Sequence, residues 1–459
     1  MTTCTQRQAW ITLLRRLHFA IGLFVGPFIF VAALSGTLYV ATPQLEQYVY
    51  ASTLNGSREG EPQPLARQID IANQVTQHAL RLHAVRPGLE AGQTTRVMYS
   101  DPALAPSEHR AIFIDPVTLA VTGDMTVYGT SGILPLRQWI DYLHRSLLLG
   151  DVGRLYSELA ASWMWIAALG GIFLWWMTKP SRKPRTVKRS RLMAARQLHI
   201  TLGLTLLAGL LLFSATGLTW SQYAGGNVDK LRAAMGWMTP QVNTLLSGQA
   251  VPADPHAEHH GHHPAATEPQ QEQGANIDRV LALAQHHGIH ASLLEIRPPR
   301  NPHQAWTVTE IDRRWPTQVD AVAINGETMQ VIDQTSFEQF PLMAKLTRWG
   351  VDFHMGILFG LINQLALIGF GIALCVLIGM GYRQWWLRRP AAAVNNPAET
   401  LCQAWLMLSG VGRTCAVIVI AAFGFAMPVL GISLLLFLLF DIFRWKRAQR
   451  RQAAQPAVN

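Results

Sequence analysis

Uncharged apolar runs alternate with long polar stretches along this chain, and the runs are long enough to cross a membrane. From Arg15 to Tyr39, RRLHFAIGLFVGPFIFVAALSGTLY, two arginines and a histidine precede an unbroken apolar stretch. Such a run, about 20 residues as a helix, spans the hydrocarbon core of a bilayer. Hydropathy marks further spans near 156–178, 198–221 and 356–381, the first lying near 18–40, and then a final apolar region from 404 to 443. That last region is too long for one crossing. Pro428, near Gly424, predicts a turn that divides it into helices near 404–424 and 427–443.

The polar stretches, roughly 43–155 and 222–353, each read as a small α+β module. In the first, IDIANQVTQHAL (69–80) has helical spacing, RVMYS (96–100) reads as a strand, and AIFIDPVTLAVTG (111–123) as two strands joined at Asp115-Pro116. The second runs in the same order: IDRVLALAQHHG (277–288), LLEIR (293–297), AWTVTEI (305–311) and VDAVAINGETMQVID (319–333), with a hairpin expected at Asn325-Gly326. A Pro- and His-containing stretch, 240–274, reads as a disordered insert.

The chain repeats itself. Arg196 opens RQLHITLGLTLLAGLLLFSATGLTW, in which Leu198-His199 echoes Leu17-His18, Gly203 echoes Gly22, and Thr216-Gly217 echoes Ser35-Gly36. Trp139 and His144 recur as Trp349 and His354, and Trp175-Trp176 as Trp385-Trp386. The fold class expected is an α-helical integral membrane protein. It is built of two helix–module–helix units, giving a four-helix core, followed by a C-terminal transmembrane hairpin. The expected divisions are a first helix within 1–42, a module at 43–155, a helix at 156–178 and a basic linker at 179–197. A helix at 198–221, a second module at 222–353 and a helix at 354–382 follow. A linker at 383–403, the hairpin at 404–443 and a tail at 444–459 complete the chain.

Composition agrees with this class, since 49% of the 459 residues are hydrophobic and only 14% charged. The formal charge of +10 is concentrated beside the spans, in Lys179–Arg196 and Arg444–Arg451. That pattern reads as positive-inside topology rather than a nucleic-acid surface. Six spans put every basic segment on the cytoplasmic side with both termini inside, whereas five would put the C-terminal arginines outside. The first span is too long for the core of a cleavable signal, and its echo marks it as part of the fold. Cys4, Cys375, Cys402 and Cys415 fall outside both polar modules and lack metal-site spacing, so no structural disulfide is expected.

The chemistry expected is carried by four histidines. His18 and His199 are expected near the cytoplasmic face, His144 and His354 near the outer face, so that the repeat makes one pair on each side. Two opposed neutral imidazoles fill both axial positions of a haem iron, which suits electron transfer. Two haems, of the b type, are expected across a core of roughly 30 Å. Gly22 and Gly203 would leave room for a macrocycle. Arg15, Arg16 and Arg196 are candidates to pair with its propionates on the inner side, and Arg145 or Arg348 on the outer side. The bland alternative is that each histidine anchors a helix end. Asp141 and Asp352 read as solvated helix-end acids. Arg413, in the fifth span, is expected to snorkel or pair. A second cluster, His256, His259, His260, His262 and His263, reads either as weak capture of a transition metal or as hydrophilic linker. No nucleotide-binding fingerprint or catalytic triad is present, so the electron donor must be another molecule, either a quinol or a cytoplasmic reductase.

LHFAIGLFVGPFIFVAALSGTLY, its echo LHITLGLTLLAGLLLFSATGLTW, and the strand–turn segments IDPVTLAVTG and INGETMQVID resemble the PepSY-associated transmembrane family over about residues 10–390. The resemblance implies a bacterial inner-membrane protein with two periplasmic loops and an activity in iron acquisition. That activity would be reduction of a ferric siderophore or another metal chelate outside the membrane, with lipid as the surrounding partner. The His-rich insert departs from the family's simple pattern and leaves copper open as the metal. The competing classes are a metal permease and a regulatory protein whose modules bind a peptide or protease.

Overall fold

The computed structural model describes residues 6–178, 190–246, 276–388 and 400–453. Its chain forms two compact units. One comprises Met1–Leu38, Tyr142–Leu231 and Leu365–Asn459, and the other Tyr39–Asp141 and Arg232–Gln364.

The first unit is helical. Helices Gly150–Met177 (α7), Gly360–Leu387 (α13) and Pro428–Arg451 within α16 (Pro428–Ala453) are long and apolar enough to cross a membrane. Two further pairs pass the same test together, α1 (Gln6–Phe24) with α2 (Gly26–Val40), and α8 (Arg191–Thr205) with α9 (Leu207–Thr219). The exposed side chains of these helices include Leu435, Leu436, Leu439 and Phe443, a row that suits lipid and not water. This is a membrane protein.

The first and third spans, read from sequence as single helices, are bent by 54° and 59°. Proline explains the first bend. Pro27 has no N–H to give, and its ring displaces the carbonyl four residues back, that of Leu23. The Tyr382 hydroxyl of α13 donates to that carbonyl at 2.9 Å. At the second bend the Thr205 hydroxyl donates back to the Thr201 carbonyl at 2.9 Å, a side-chain bond that bends helices. After α14 (Leu401–Leu406), α15 (Gly410–Ala426) is separated by Met427 alone from Pro428, which opens α16. α15 is a shorter apolar helix of 17 residues. It approaches α16 so closely that a Cβ on Gly431 would lie 2.9 Å from the Gly424 carbonyl oxygen.

The second unit is a single antiparallel sheet of eight strands in the order β4-β3-β2-β1-β5-β6-β7-β8. The strands are Arg81–Arg86 (β1), Thr95–Ser100 (β2), Glu108–Ile114 (β3), Val121–Tyr128 (β4), Leu294–Arg297 (β5), Trp306–Glu310 (β6), Ala321–Ile324 (β7) and Val331–Thr335 (β8). The two polar segments therefore share one sheet, joined at Val85 opposite Ile296. Helices α5 (Leu65–Val75) and α11 (Ile277–His286) bury Ile69, Ala72, Val280 and Ala284 against Tyr99, Ile112, Val308 and Val322. Asp278 of α11 accepts the Leu65 and Ala66 N–H groups at 2.7 and 3.1 Å, capping α5. Across the seam Arg86 pairs with Glu295, its Nε and Nη2 both on Oε2, with side chains 13% and 7% exposed.

β1 was not legible in the sequence. RLHAVR mixes basic and apolar residues, and a register shift between Leu82 and Ala84 breaks the alternation that marks a strand. The Asn325-Gly326 hairpin forms, but not with a two-residue turn. Asn325 Oδ1 accepts the Glu327 and Thr328 N–H groups, and Met329 takes the left-handed conformation at φ 53°. Asp115 and Leu119, at φ 61°, do the same in the first half. Of the stretch 240–274 expected as a disordered insert, residues 240–246 are part of the fold and 247–274 lie outside the described residues. Leu245 bridges to Gln304, and the Asn243 N–H donates to Asp333 at 2.6 Å.

Candidate cofactor site

His18 lies well inside α1 rather than at a helix edge, because α1 begins twelve residues earlier at Gln6. Its Nδ1 is 3.1 Å from the Ala167 carbonyl of α7. A carbonyl can only accept, so the proton sits on Nδ1 and Nε2 keeps its lone pair. The ring rests on Gly171, where a Cβ would stand 3.2 Å from His18 Cε1. His199, within α8, is built the same way. Its Nδ1 lies 3.0 Å from the Leu377 carbonyl of α13, and a Cβ on Gly381 would be 3.5 Å from Cε1. Ala167 and Gly171 stand as far from Leu377 and Gly381 as Trp175 from Trp385, and the same carbonyl and glycine contacts occur at both histidines.

These two histidines come together. Their ring centroids are 6.2 Å apart, with planes at 80°. Two imidazoles on opposite sides of one metal ion, each bonded at about 2 Å, have centroids roughly 6 Å apart. Among the described residues no group of three or more His, Cys, Asp or Glu side chains is placed to hold a metal ion. Two nitrogens alone leave a bare ion short of ligands, whereas a porphyrin supplies the equatorial four and asks the protein for two axial ones. The cradle fits as well. A Cβ on Gly22, one turn beyond His18, would meet nothing within 4 Å, and one on Gly203 would meet only Leu377 Cδ1 at 3.9 Å.

His144 occupies the last turns of a separate helix, α6 (Pro135–Ser146). Ser35 Oγ donates to the Val31 carbonyl at 2.7 Å and accepts from His144 Nδ1 at 3.1 Å. A Cβ on Gly36 would press within 3.0 Å of His144 Cε1. The imidazole is thus held as His18 is, by an Nδ1 acceptor and a glycine. The Tyr156 hydroxyl donates to the His144 carbonyl at 2.5 Å. His354 belongs to the sheet-bearing unit, at the end of α12 (Leu342–His354).

Asp352 is not the solvated acid expected from sequence. It is wholly buried, paired with Arg313 and 3.4 Å from Arg348 Nε, because two guanidiniums offset the cost of burying it. Arg16 donates to the carbonyl of Thr400, which caps α14, while Arg15 and Arg196 are exposed. Arg413 donates to the Leu406 carbonyl at 2.8 Å. His256, His259, His260, His262 and His263 lie outside the described residues.

The model of the PepSY-associated TM region matches residues 15–388. The chain belongs to that family. None of the curated proteins compared with the chain matches it. The family match covers the first bent span from residue 15 onward, the whole of the second, both long helices that supply the Nδ1 acceptors, and all eight strands of the sheet, and it ends before α14. The Nδ1 acceptors and the glycines named above for His18, His199 and His144 therefore fall within the family's region. Sequence reading found the histidines and missed their supports. Gly171 and Gly381 were findable, since they recur in the register of the tryptophan pairs. The carbonyls of Ala167 and Leu377 were not, because any residue type supplies a carbonyl.

Proposed function

We propose that this family member is a membrane haem protein that carries electrons to an external metal chelate, with one haem held between His18 and His199. The observation that carries the reading is the geometry of that pair: a separation suited to one metal between two rings, with both Nδ1 protons committed to carbonyls. His18 and His199 would hold a haem there, and it would supply one-electron transfer rather than substrate binding at iron. The protein's part is to orient the rings and hold their tautomer through Ala167 and Leu377, which also raises the donor strength of Nε2. Gly171 and Gly381 let the imidazoles lie close to the long helices. Leu17, Ile21 and Leu377 surround the site with apolar side chains that keep water out.

The sequence repeat extends the proposal to a second haem b, for which His144 shows the same preparation. The matched hairpin turns, Asp115 to Leu119 and Asn325 to Met329, support reading the chain as duplicated. On this reading the protein sits in a bacterial inner membrane with six spans and both termini cytoplasmic, α15 and α16 forming the final hairpin. It takes electrons from a quinol or cytoplasmic reductase and reduces a periplasmic ferric siderophore or similar chelate. Iron(II) is bound more weakly by hard oxygen ligands, so reduction releases it for uptake. The test is the visible spectrum of protein purified from haem-replete cells. A low-spin haem spectrum that is lost in part in His18→Ala supports the proposal, and haem-free protein overturns it.

A further inference from the structure

Arginines of the sheet-bearing unit have a habitual partner. Arg86 presents Nε and Nη2 to a single oxygen of Glu295, at 2.8 and 2.6 Å. Arg110 offers the same edge to Asp124 at 3.0 and 2.6 Å, and Arg314 to Asp312 at 2.9 and 2.5 Å. Arg313 turns that edge to one oxygen of Asp352, so Arg110 and Arg314 are the pairs that meet both oxygens. The Nε–Nη2 edge carries two parallel N–H bonds whose spacing matches the two oxygens of a carboxylate.

Arg137 has the same edge without the carboxylate. The residue is 8% exposed. Its guanidinium carbon lies 4.7 Å over the Tyr39 ring, and its Nη1 is 3.7 Å from Glu46 Oε2. Its Nε and Nη2 are both buried and have no acceptor at hydrogen-bond geometry among the described residues, the side-chain oxygens nearest the guanidinium being those of Tyr39 and Glu46. Glu46 does not close the gap, since its other oxygen accepts the Leu134 N–H at 2.9 Å. Stacking on Tyr39 fixes the plane of the guanidinium, so the edge is held in one orientation. Two unmet donors on a buried cation are costly, and a group that fits both at once removes the cost.

We propose that the Nε–Nη2 edge of Arg137 is a binding fork for one carboxylate group brought by a ligand. Lysine cannot replace it, because one ammonium does not present two parallel donors. The carboxylate comes either from a small solute, such as a carboxylate-bearing chelate, or from a tightly retained cofactor with acidic side arms. The unmet edge exists whatever His18 and His199 hold, and only its occupation by a cofactor rests on the haem reading.

The test uses the full-length protein in detergent, with the thermal midpoint titrated against sodium acetate. Sodium chloride and inorganic phosphate at matched ionic strength are the controls. Wild type is compared with Arg137→Lys and with the double variant Glu46→Gln/Arg137→Gln, which removes the pair without stranding either charge. Acetate is expected to raise the wild-type midpoint saturably, to act at least tenfold more weakly on Arg137→Lys, and to leave the folded double variant unchanged. If the carboxylate belongs to a retained cofactor, loaded protein ignores acetate, and Arg137→Lys gives up haem faster than wild type to excess apomyoglobin. Protein purified without haem is read by the acetate arm alone. An acetate response equal in Arg137→Lys and wild type overturns the fork. So does stabilisation by phosphate but not acetate, or the absence of both an acetate response and a change in haem loss.

Discussion

The imidazole of His18 rests on Gly171 of α7, where a hydrogen fits freely and a methyl group would fit only tightly. A Cβ there would lie 3.2 Å from Cε1, tighter than ordinary contact, whereas the equivalent Cβ on Gly381 would lie 3.5 Å from His199 Cε1. The two glycines are therefore not equally demanding. Gly171→Leu is expected to push the His18 ring off its carbonyl acceptor and cost the protein the haem proposed there. Gly381→Ala should retain it. The haem-to-protein ratio of the two purified variants checks this, and equal retention would count against the site.

Ligand substitutions separate the sites. His18→Ala and His199→Ala are expected to remove the same haem, so the double variant should lose no more than either single one. His144→Ala, whose ring is held by Ser35 and Gly36, should remove a different haem. Combined with His18→Ala it should leave almost none. Pyridine haemochromogen titration of the three single and two double variants reads the stoichiometry directly.

Residues that act through their own side chain and recur in register were legible before the fold was known. His18 and His199 qualify, because an ionisable group beside an apolar run is conspicuous. The broad fold was legible for a related reason. Apolar runs of membrane length and alternating strands are patterns of side chains, and side chains are what a sequence records. What stayed hidden was set by the backbone or by partners distant in the chain. The acceptors of His18 and His199 are main-chain carbonyls. β1 was masked by its bulge. The burial of Asp352 depends on Arg313, 39 positions away. The bend at Val25 was partly readable, since Pro27 stood in plain view inside the first span, but its capping by Tyr382 was not.

His83 makes the sheet sensitive to acid. Its ring stacks on His109 with centroids 3.7 Å apart. Burial, then the neighbouring His109 and Arg297, with a smaller contribution from Arg300, lower its pKa from the ordinary 6.5 to about 2, against the opposing pull of Glu295. Below pH 6.5 the unfolded chain therefore takes up a proton that the folded chain refuses. Stability contributed by neutral His83 is present above pH 6.5 and is lost as pH falls from there toward 2, by about 1 kcal/mol per pH unit. Thermal midpoints of wild type and His83→Gln between pH 7 and 5 are expected to converge as pH falls.

The seam between the two halves of the sheet depends on Arg86 and Glu295. Burial opposes ionisation of Glu295, but Arg297 and Arg86 outweigh it and hold its carboxyl below the usual range. Removing one partner strands the other charge, and Arg86→Met is expected to cost about 3–5 kcal/mol. Arg86→Met combined with Glu295→Leu should recover much of that loss. Chemical denaturation followed by a probe on the sheet distinguishes the two variants, and additive losses would show that the ion pair is not what joins the halves.

The bend in the first span has a cause that can be removed. Pro27 frees the Leu23 carbonyl, and the Tyr382 hydroxyl satisfies it at 2.9 Å. An unsatisfied carbonyl in an apolar medium has no water to turn to, so Tyr382→Phe should destabilise the protein by about 1 kcal/mol. Pro27→Ala restores an N–H where the helix needs one, and the Leu23 carbonyl then has a partner within its own chain. In that background Tyr382→Phe should cost little, so the two substitutions are expected to be coupled rather than additive. Pro27→Ala should also straighten α1 against α2 and move His18, which lies on the bent half, relative to Ala167. A shift in the haem spectrum of Pro27→Ala with no shift in Tyr382→Phe would tie the bend to the placement of His18. Identical spectra in both would show that α7 alone sets the position of the ring.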